Sequence, residues 1–550
     1  MDYSHLADLL YPSVTTLPED MEKRYPPRQL AEGAKVTRFA PSPTGFLHIG
    51  NLYGAFTDER LAHTTNGVFY LRIEDTDAKR TVPNGVALII ETLAKLGVYF
   101  DEGAVIGGDN GAYGPYRQSE RAEIYQTYAK QLIREGKAYP CFCTEEELGA
   151  IRARQEAEKK TPGYYGEYAV WRDAAIEKIE ERLRAGAPFV LRFRSEGDAS
   201  RKLKFTDEIK GVIDVTENDI DHVILKSDGI PTYHFAHAVD DHLMRTTHVV
   251  RDESWLSTLP FHLQLFKALG FKLPKYCHTA QVLKLDGGNK RKISKRKDPE
   301  AALTFYHAEG YPAAATREYL MTLLNSNFEE WRLANPTAEI ENFKFTTKKM
   351  SVSGSLFDLD KLNDISKNVI SRLTAGEAYA LALEWAREFD PELASLLEAD
   401  PGYAESILAI GRGGAKPRKD LTTWKDVRAY VSFFYDALFE PDYALPAAVS
   451  KADAAEICRR FGESYDTADE QPAWFEKIKQ IAAALGYAPE TKLYKKEPAA
   501  YKGHVGDVSM ALRVAVTGRQ NSPDLFEVMR ILGRERVLAR LTTMIEKIKD

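Results

Sequence analysis

Arg38-Phe39-Ala40-Pro41-Ser42-Pro43-Thr44-Gly45-Phe46-Leu47-His48-Ile49-Gly50-Asn51 is the stretch on which the reading of this chain turns. Val36 to Ala40 reads as a strand, and Pro41-Ser42-Pro43-Thr44-Gly45 stops it. A helix is expected from about Gly50 to Ala62, ended by Asn66-Gly67, and then a second strand over Val68–Ile73. Ile89, Leu93 and Leu96 recur at helical spacing, with Gly97 where a C-cap belongs. Strand–helix–strand–helix in this rhythm predicts a parallel α/β unit. A helix that begins beside a histidine offers backbone N–H groups and an imidazole to phosphate oxygens. Gly50, without a side chain, leaves room for a flat base to approach the backbone.

Outward from this stretch, residues 1–34 are polar and punctuated by Pro12, Pro18, Pro26 and Pro27, and are expected to lie on the first domain as an extension. Residues 111 to about 220 interrupt the α/β rhythm. A helix from Arg121 to Glu135, with Ile124, Tyr128 and Leu132 on one face, ends at Gly136, and short strands such as Pro188–Phe193 follow. The pattern resumes with His222-Val223-Ile224-Leu225 and His248-Val249-Val250-Arg251, then a helix carrying Leu259, Leu263 and Phe266 and closed by Gly270. Two α/β halves split by an insertion predict one nucleotide-binding fold with a middle domain. Beyond about residue 370 the pattern is helical. Ser522 reads as an N-cap and Pro523 as a first-turn proline, with Leu525, Val528 and Leu532 following and Gly533 closing. Val537, Leu541, Met544 and Ile548 mark the last helix.

At 550 residues the chain has room for about three to four domains. A 44% hydrophobic and 28% charged composition supports large buried cores and excludes wholesale disorder. The net charge of −7 means that contact with nucleic acid must come from local basic patches. No basic-then-apolar leader opens the chain and no apolar run is long enough for a membrane span, so a cytoplasmic protein without membrane contact is expected. Cys141, Cys143, Cys277 and Cys458 are too few for a disulfide scaffold.

A second chemical signal is Lys290-Arg291-Lys292-Ile293-Ser294-Lys295-Arg296-Lys297-Asp298-Pro299. From Lys284 to Lys297 there are seven basic residues against one acid, Asp286, with Gly287-Gly288 as a flexible entry. Lysines flanking a serine on a mobile loop suit a polyphosphate, whose charge they neutralise as it builds in a transition state. Alone, such a run reads as a solvated loop. Paired with the histidine–glycine stretch, in this order and across two α/β halves, it points to nucleotide chemistry.

His48-Ile49-Gly50-Asn51 and Lys292-Ile293-Ser294-Lys295-Arg296 resemble the paired signature of class I aminoacyl-tRNA synthetases. The closer resemblance is to bacterial-type glutamyl-tRNA synthetases. It is carried by Arg38–Gly45, Leu71-Arg72-Ile73-Glu74-Asp75-Thr76-Asp77, Tyr116-Arg117-Gln118-Ser119-Glu120-Arg121, Pro231-Thr232-Tyr233-His234, Val239-Asp240-Asp241-His242 and Leu525-Phe526-Glu527-Val528-Met529. It runs from about residue 35 to the end and leaves out the first 34 residues. The fold it implies is an α/β Rossmann-like catalytic domain (35–110 and 221–300) with an inserted α/β domain that binds the acceptor end (111–220). A stem-contact region (301–370) and an all-α C-terminal region (371–550) that binds the anticodon complete it.

The activity implied is ATP-dependent ligation of L-glutamate to the 3′ end of tRNA-Glu through a glutamyl-adenylate, with Mg2+ accompanying ATP and tRNA-Gln left open as a second acceptor. The substrate carboxylate is itself the nucleophile, so catalysis is positioning and charge stabilisation. By resemblance His48, Lys292 and Lys295 are catalytic, and His48, Gly50, Asn51 and Lys295 bind ATP. Asn51 replaces the second histidine of the generic motif and cannot carry charge. Arg38 and Arg251 would grip the two carboxylates of glutamate. Glu74 with Ser42 would meet its ammonium and Tyr233 its side chain, and His237 stands where the family often has asparagine.

Tyr139-Pro140-Cys141-Phe142-Cys143 invites a zinc reading, but Tyr164, Tyr165 and Tyr168 stand where a second cysteine pair is needed, so zinc is not expected. Lys344-Phe345-Thr346-Thr347-Lys348-Lys349 and Lys492-Leu493-Tyr494-Lys495-Lys496 are basic–aromatic candidates for tRNA contact. A glutaminyl-tRNA synthetase would carry a β-barrel C-terminal portion where this chain reads helical, and a truncated paralogue would lack that portion altogether. A monomeric enzyme is expected.

Overall fold

The computed structural model describes residues 2–77 and 79–548. The chain divides into two compact units, Met1–Phe305 with Arg317–Asp358, and Tyr306–Thr316 with Leu359–Asp550. The division falls at residues 358/359, whereas the boundary expected near residue 370 lies inside a helix, Leu359–Arg372.

The first 34 residues of the first unit fold into two short helices, α1 (Tyr3–Leu10) and α2 (Pro18–Arg24). Their apolar side chains Leu6, Leu10, Val14, Met21 and Tyr25 are buried, an amphipathic pattern that the prolines hide in the sequence. Strand β1 (Val36–Phe39), helix α3 (Ile49–His63), strand β2 (Val68–Leu71), helix α4 (Gly85–Lys95) and strand β3 (Glu102–Val105) build the expected parallel unit, in the order β1-β2-β3, with β4 (Gly108–Asn110) added antiparallel at the edge. Helix α3 is buried over most of its length, as a helix wedged into a sheet-centred core must be.

Helix α5 (Ala122–Arg134) receives the N-terminal extension: its Lys130 Nζ donates to the carbonyls of Tyr11 and Val14 at 2.9 and 2.8 Å. Arg28 of the extension makes a two-pronged contact with Glu102 at 2.8 and 3.0 Å. The extension thus packs on both the α/β unit and the segment that interrupts it.

That segment interrupts the parallel pattern, as its sequence indicates, and its strands pair antiparallel. Strands β5 (Ala138–Cys141) and β6 (Val190–Phe193) pair antiparallel, and helices α6 (Glu145–Ala157) and α7 (Ile176–Arg184) lie between them in sequence. Strands β7 (Lys202–Asp207) and β8 (Gly211–Thr216) form an antiparallel hairpin. Strand β9 (Val223–Leu225), read from the sequence as the return of the α/β rhythm, pairs antiparallel with β6 instead. A short apolar run encodes burial but not the identity of its neighbour.

Helix α8 (Tyr233–Leu243), strand β10 (His248–Asp252), helix α9 (Leu259–Ala268) and strand β11 (Lys275–Thr279) are the second α/β half. Strands β10 and β11 pair in parallel, and the Thr247 N–H donates to Val36 O at 2.9 Å, which sets β10 beside β1. Val215 of the hairpin packs with Val249, Leu259 and Tyr276 in one small core. Strands β12 (Val282–Asp286) and β13 (Asn289–Lys292) form a hairpin whose turn residues Gly287 and Gly288 both have positive φ, 56° and 87°. The glycine pair read as a flexible entry is therefore a tight hairpin turn of the primed kind. Strand β14 (Ser355–Leu356) pairs with β12 in parallel.

The second unit is helical and is built around one core that includes Leu397, Ile407, Trp424, Phe434, Phe461, Leu512, Val528 and Leu541. Its last helix, Leu525–Lys547, is interrupted at Gly533, where φ is 78° and ψ 164°, the break its sequence announces. The N-cap is Asp524, which accepts from Glu527 N; Ser522 and Pro523, expected at the cap and first turn, precede it. A carboxylate at the cap also complements the helix dipole. No helix of the described residues is long and apolar enough to cross a membrane.

Candidate active site

The C-terminal ends of β1 and β10 and the N-terminal ends of α3 and α8 open onto a single cavity of about 500 Å³, the place where open α/β sheets bind ligands. Its wall contains Arg38, Ser42, His48, Gly50, Asn51, Glu74, Tyr233, Arg251, Lys292 and Lys295. Of the expected site residues only His237 is missing from it. The His237 imidazole is fully buried one layer back, with Nδ1 2.7 Å from Asp241 Oδ2, Nε2 2.9 Å from the Tyr276 hydroxyl, and its ring stacked behind Tyr233. It sits one helical turn after Tyr233, so it supports that ring and does not face the cavity.

His48 is the N-cap of α3. Its Nδ1 accepts from Asn51 N at 3.2 Å, while Asn51 Oδ1 accepts from His48 N at 3.0 Å, a reciprocal capping box. Burial, then Lys295 and Lys292, push the imidazole down to about 4, so it is neutral at pH 7 with its proton on Nε2. Nε2–H is left as a donor toward a ligand. Asn51 spends its carbonyl oxygen on the cap and keeps only its amide nitrogen for the cavity. A Cβ at Gly50 would lie 2.9 Å from His48 Cε1. The glycine is needed by the capping histidine itself, besides any base that stacks there.

The basic stretch emerges from β13 and is folded by one acid, Asp298. Arg291 grips the Asp298 carboxylate at 2.6 and 2.8 Å, and Ser294 N donates to it at 2.8 Å. These bonds, Arg291 first, hold Asp298 well below the ordinary carboxylate range. Lys292 and Lys295 are thereby aimed at the cavity, with Lys295 Nζ donating to the Phe46 carbonyl and its pKa lowered by burial. Asp298 was legible in the sequence only as the residue that ends the basic run.

The two arginines differ in a way the sequence does not show. Arg38 Nε donates to both oxygens of Asp241 at 3.1 and 3.2 Å, and Nη1 to Val250 O at 3.3 Å. Burial opposes its charge, and Asp241 more than restores it. Arg251 forms no ion pair with a described residue. Its Nε donates to His278 Nε2 at 2.9 Å, its Nη1 lies 3.0 Å from His262 Nδ1, and its buried Nη2 has no hydrogen-bond partner. An unpaired guanidinium nitrogen in a closed cavity is costly unless an anion meets it.

Glu74 follows β2 and lies against Arg72, whose Nη2 donates to it at 3.2 Å while Nη1 donates to Asp241 at 2.6 Å. Burial, only partly countered by Arg72 and Arg38, pushes the Glu74 carboxyl up to about 7. Asp240, next to Asp241, takes Arg121 Nε at 2.8 Å, Gln118 Nε2 at 2.9 Å and the Tyr125 hydroxyl at 2.8 Å. The stretches around Arg72, Arg121 and Asp240-Asp241 thus converge on one buried charge network behind the cavity, which spacing alone could not reveal.

Elsewhere, the thiols of Cys141 and Cys143 lie 3.5 and 3.6 Å from the Tyr164 hydroxyl. Among the described residues no group of three or more His, Cys, Asp or Glu side chains could hold a metal ion. Of the two basic–aromatic segments, Phe345 is buried and cannot stack on a base, while Lys344, Lys348 and Lys349 are exposed. Lys492, Lys495 and Lys496 are exposed and Tyr494 packs against His504.

Residues 35–364 match the family described as tRNA synthetases class I (E and Q), catalytic domain, and residues 409–545 match an anticodon binding domain. The chain is similar to a glutamate–tRNA ligase of Acetivibrio thermocellus, 53% identical over 548 residues that cover 99% of this chain and 100% of that one. That coverage takes in the N-terminal extension, which the resemblance read from the sequence had left out. A glutamate–tRNA ligase of Sorangium cellulosum is 49% identical, covering 96% of this chain and 98% of the other. Among solved structures, a glutamate tRNA ligase from Elizabethkingia meningosepticum in complex with its amino acid superposes with a TM-score of 0.74 at 28% identity, covering 94% of this chain and 99% of that one. A glutamate–tRNA synthetase from Elizabethkingia anophelis gives 0.73 at 29% identity, covering 93% and 100%. The chain belongs to the class I tRNA synthetase family for glutamate and glutamine, among the bacterial-type glutamate–tRNA ligases.

Proposed function

We infer that this chain ligates L-glutamate to the 3′ end of tRNA-Glu at the expense of ATP, in the cavity between the two α/β halves. The observation that carries the substrate assignment is Arg251: a buried guanidinium held by imidazoles, with one nitrogen unpartnered and no ion pair to a carboxylate among the described residues. Together with Arg38 and Glu74 of the same wall, it forms a site for two carboxylates and one ammonium. Tyr233 and Ser42 complete the wall around the amino acid.

In the first step an α-carboxylate oxygen of glutamate forms a bond to the α-phosphorus of ATP, and the bond to the β-phosphate breaks to release pyrophosphate. Nothing needs deprotonation. His48 Nε2–H and the Lys295 and Lys292 ammonium groups stabilise the charge that builds on the phosphates. Gly50 and Asn51 border the nucleotide. Mg2+ travels with the ATP phosphates, and Asp252, a carboxylate of the same wall close enough to act on His48, is the residue that would face it. In the second step a terminal ribose hydroxyl of tRNA attacks the mixed-anhydride carbonyl, AMP leaves, and the hydroxyl proton is lost.

Residues 111–220 serve the acceptor end in this reading, 301–370 the stem, and the helical unit the anticodon. The enzyme acts as a monomer in the cytoplasm. Glutamate-dependent ATP–pyrophosphate exchange, measured with and without tRNA-Glu, tests the reaction. Charging of separate tRNA-Glu and tRNA-Gln isoacceptors tells whether one or both are accepted. Exchange that responds to glutamine in preference to glutamate would overturn the assignment.

A further inference from the structure

The geometry points to Asp207, at the end of the β7 strand, as a positioning residue for the glutamate site, acting on Arg251 through the imidazole of His278. This rests on the reading that Arg251 meets a carboxylate of glutamate. Arg251 and His278 are cross-strand partners in the β10–β11 ladder, so their side chains leave the sheet on one face. Arg251 Nε–H donates to His278 Nε2 at 2.9 Å, which requires that nitrogen to be unprotonated. The ring's proton must then sit on Nδ1, and Nδ1 lies 2.7 Å from Asp207 Oδ2. Carboxylate, imidazole and guanidinium form a line in which each group fixes the next, with both Asp207 and His278 almost fully buried.

The two oxygens of Asp207 divide the turn and the imidazole between them, while the His278 backbone N–H donates to both, at 3.3 and 3.2 Å. Oδ1 accepts from the backbone N–H groups of Ile209 and Lys210 at 2.9 and 2.8 Å and so closes the hairpin turn. Oδ2 faces the imidazole. Burial alone would raise this carboxyl, but the bonds from His278, Lys210 and Ile209 hold it below its ordinary value, so it stays an anion and an acceptor. His278 is held below its own ordinary value, burial first, and stays neutral. The arrangement backs Arg251 with negative charge at one remove, which steers the guanidinium without occupying the nitrogens needed for substrate. The other imidazole on Arg251, His262, leads to His234 at 2.9 Å and, among the described residues, to no carboxylate.

Asp207→Asn isolates the relay. The amide oxygen can keep the turn, but an NH2 group now faces His278 and drives it to the Nε2–H tautomer, which sets N–H against N–H at Arg251. In exchange assays on the full chain with tRNA-Glu present, this variant should raise KM for glutamate by about tenfold, with KM for ATP and the thermal midpoint nearly unchanged. In a His278→Leu background the same change should have almost no further effect, because no polar group at 278 remains to carry an orientation from residue 207 to Arg251. Nitrogen-15 shifts of His278 should report the Nδ1–H tautomer in the wild type and Nε2–H in Asp207→Asn. An unchanged tautomer, an unchanged glutamate KM, or the same loss in both backgrounds would overturn the proposal and leave Asp207 a turn residue. Wild-type exchange that fails to saturate with glutamate would instead overturn the functional reading on which the proposal rests.

Discussion

Arg38 and Arg72 share a single buried carboxylate: Asp241 accepts from Arg38 Nε at 3.1 Å and from Arg72 Nη1 at 2.6 Å. Arg38 is therefore half structural cation and half cavity wall, while Arg251 is committed to no anion among the described residues. The two arginines that the sequence presents as equivalent are energetically distinct.

Replacing each by glutamine should expose the difference. Arg251→Gln should lower kcat/KM for glutamate by about 2–4 kcal/mol with little change in stability, since no buried carboxylate loses its partner. Arg38→Gln should lower it comparably and also destabilise the fold by about 3 kcal/mol, because Asp241 loses one of its two arginines and is left with Arg72, the His237 imidazole and the Thr246 hydroxyl. Amino-acid kinetics together with thermal unfolding of both variants check this. An Arg38→Gln protein as stable as wild type would show that Arg72, with His237 and Thr246, satisfies Asp241 without Arg38.

Lys295→Ala should slow adenylate formation by about 3 kcal/mol in kcat while tRNA affinity stays nearly the same. The lysine reaches the cavity from the loop folded on Asp298, where the proposed mechanism has its charge act on the leaving pyrophosphate. Pre-steady-state exchange and tRNA filter binding separate the two effects; wild-type turnover in the variant removes Lys295 from the mechanism.

Glu74, pushed up to about 7 by burial, should impose an acidic limb on the pH profile. Binding of the substrate ammonium needs the ionised carboxylate, so kcat/KM for glutamate should fall as pH drops through about 7, and Glu74→Gln should lose both the limb and most of the activity. The stability consequence has the opposite direction. The neutral form is the one burial favours, so its contribution is full below the ordinary carboxyl value and is lost as pH rises through about 7. Glu74→Gln should therefore gain stability relative to wild type between pH 5 and pH 8, as calorimetry across that range would read.

Purified protein should contain no stoichiometric zinc, and Cys141→Ser should keep its activity. Two thiols facing the Tyr164 hydroxyl offer too few ligands for a closed tetrahedral site. About one zinc per chain by elemental analysis, lost together with activity in Cys141→Ser, would reverse this.

Much of this protein was legible in its residues because the relevant information is local. Alternating and helical periodicities located β1, α3, β2 and α5, and Gly97, Gly136, Gly270 and Gly533 mark ends or breaks of helices where positive φ is needed. The histidine–glycine and lysine stretches supply seven of the ten expected residues on the cavity wall, and Glu74, Tyr233 and Arg251 the other three.

What only the tertiary structure decided is which partner each buried charge takes. Arg38 and Asp241 are 203 residues apart, Asp207 and His278 are 71 apart, and the pairing of β9 with β6 crosses from one expected domain to the other. His237 shares the helix and the face of Tyr233 in sequence, yet the packing of Tyr276 and Asp241 draws it out of the cavity. The physical reason is the same in each case. A periodicity states that a side chain is buried, whereas the cost of burying charge is met by whichever opposite group the fold delivers within about 3 Å, and no local pattern encodes that encounter.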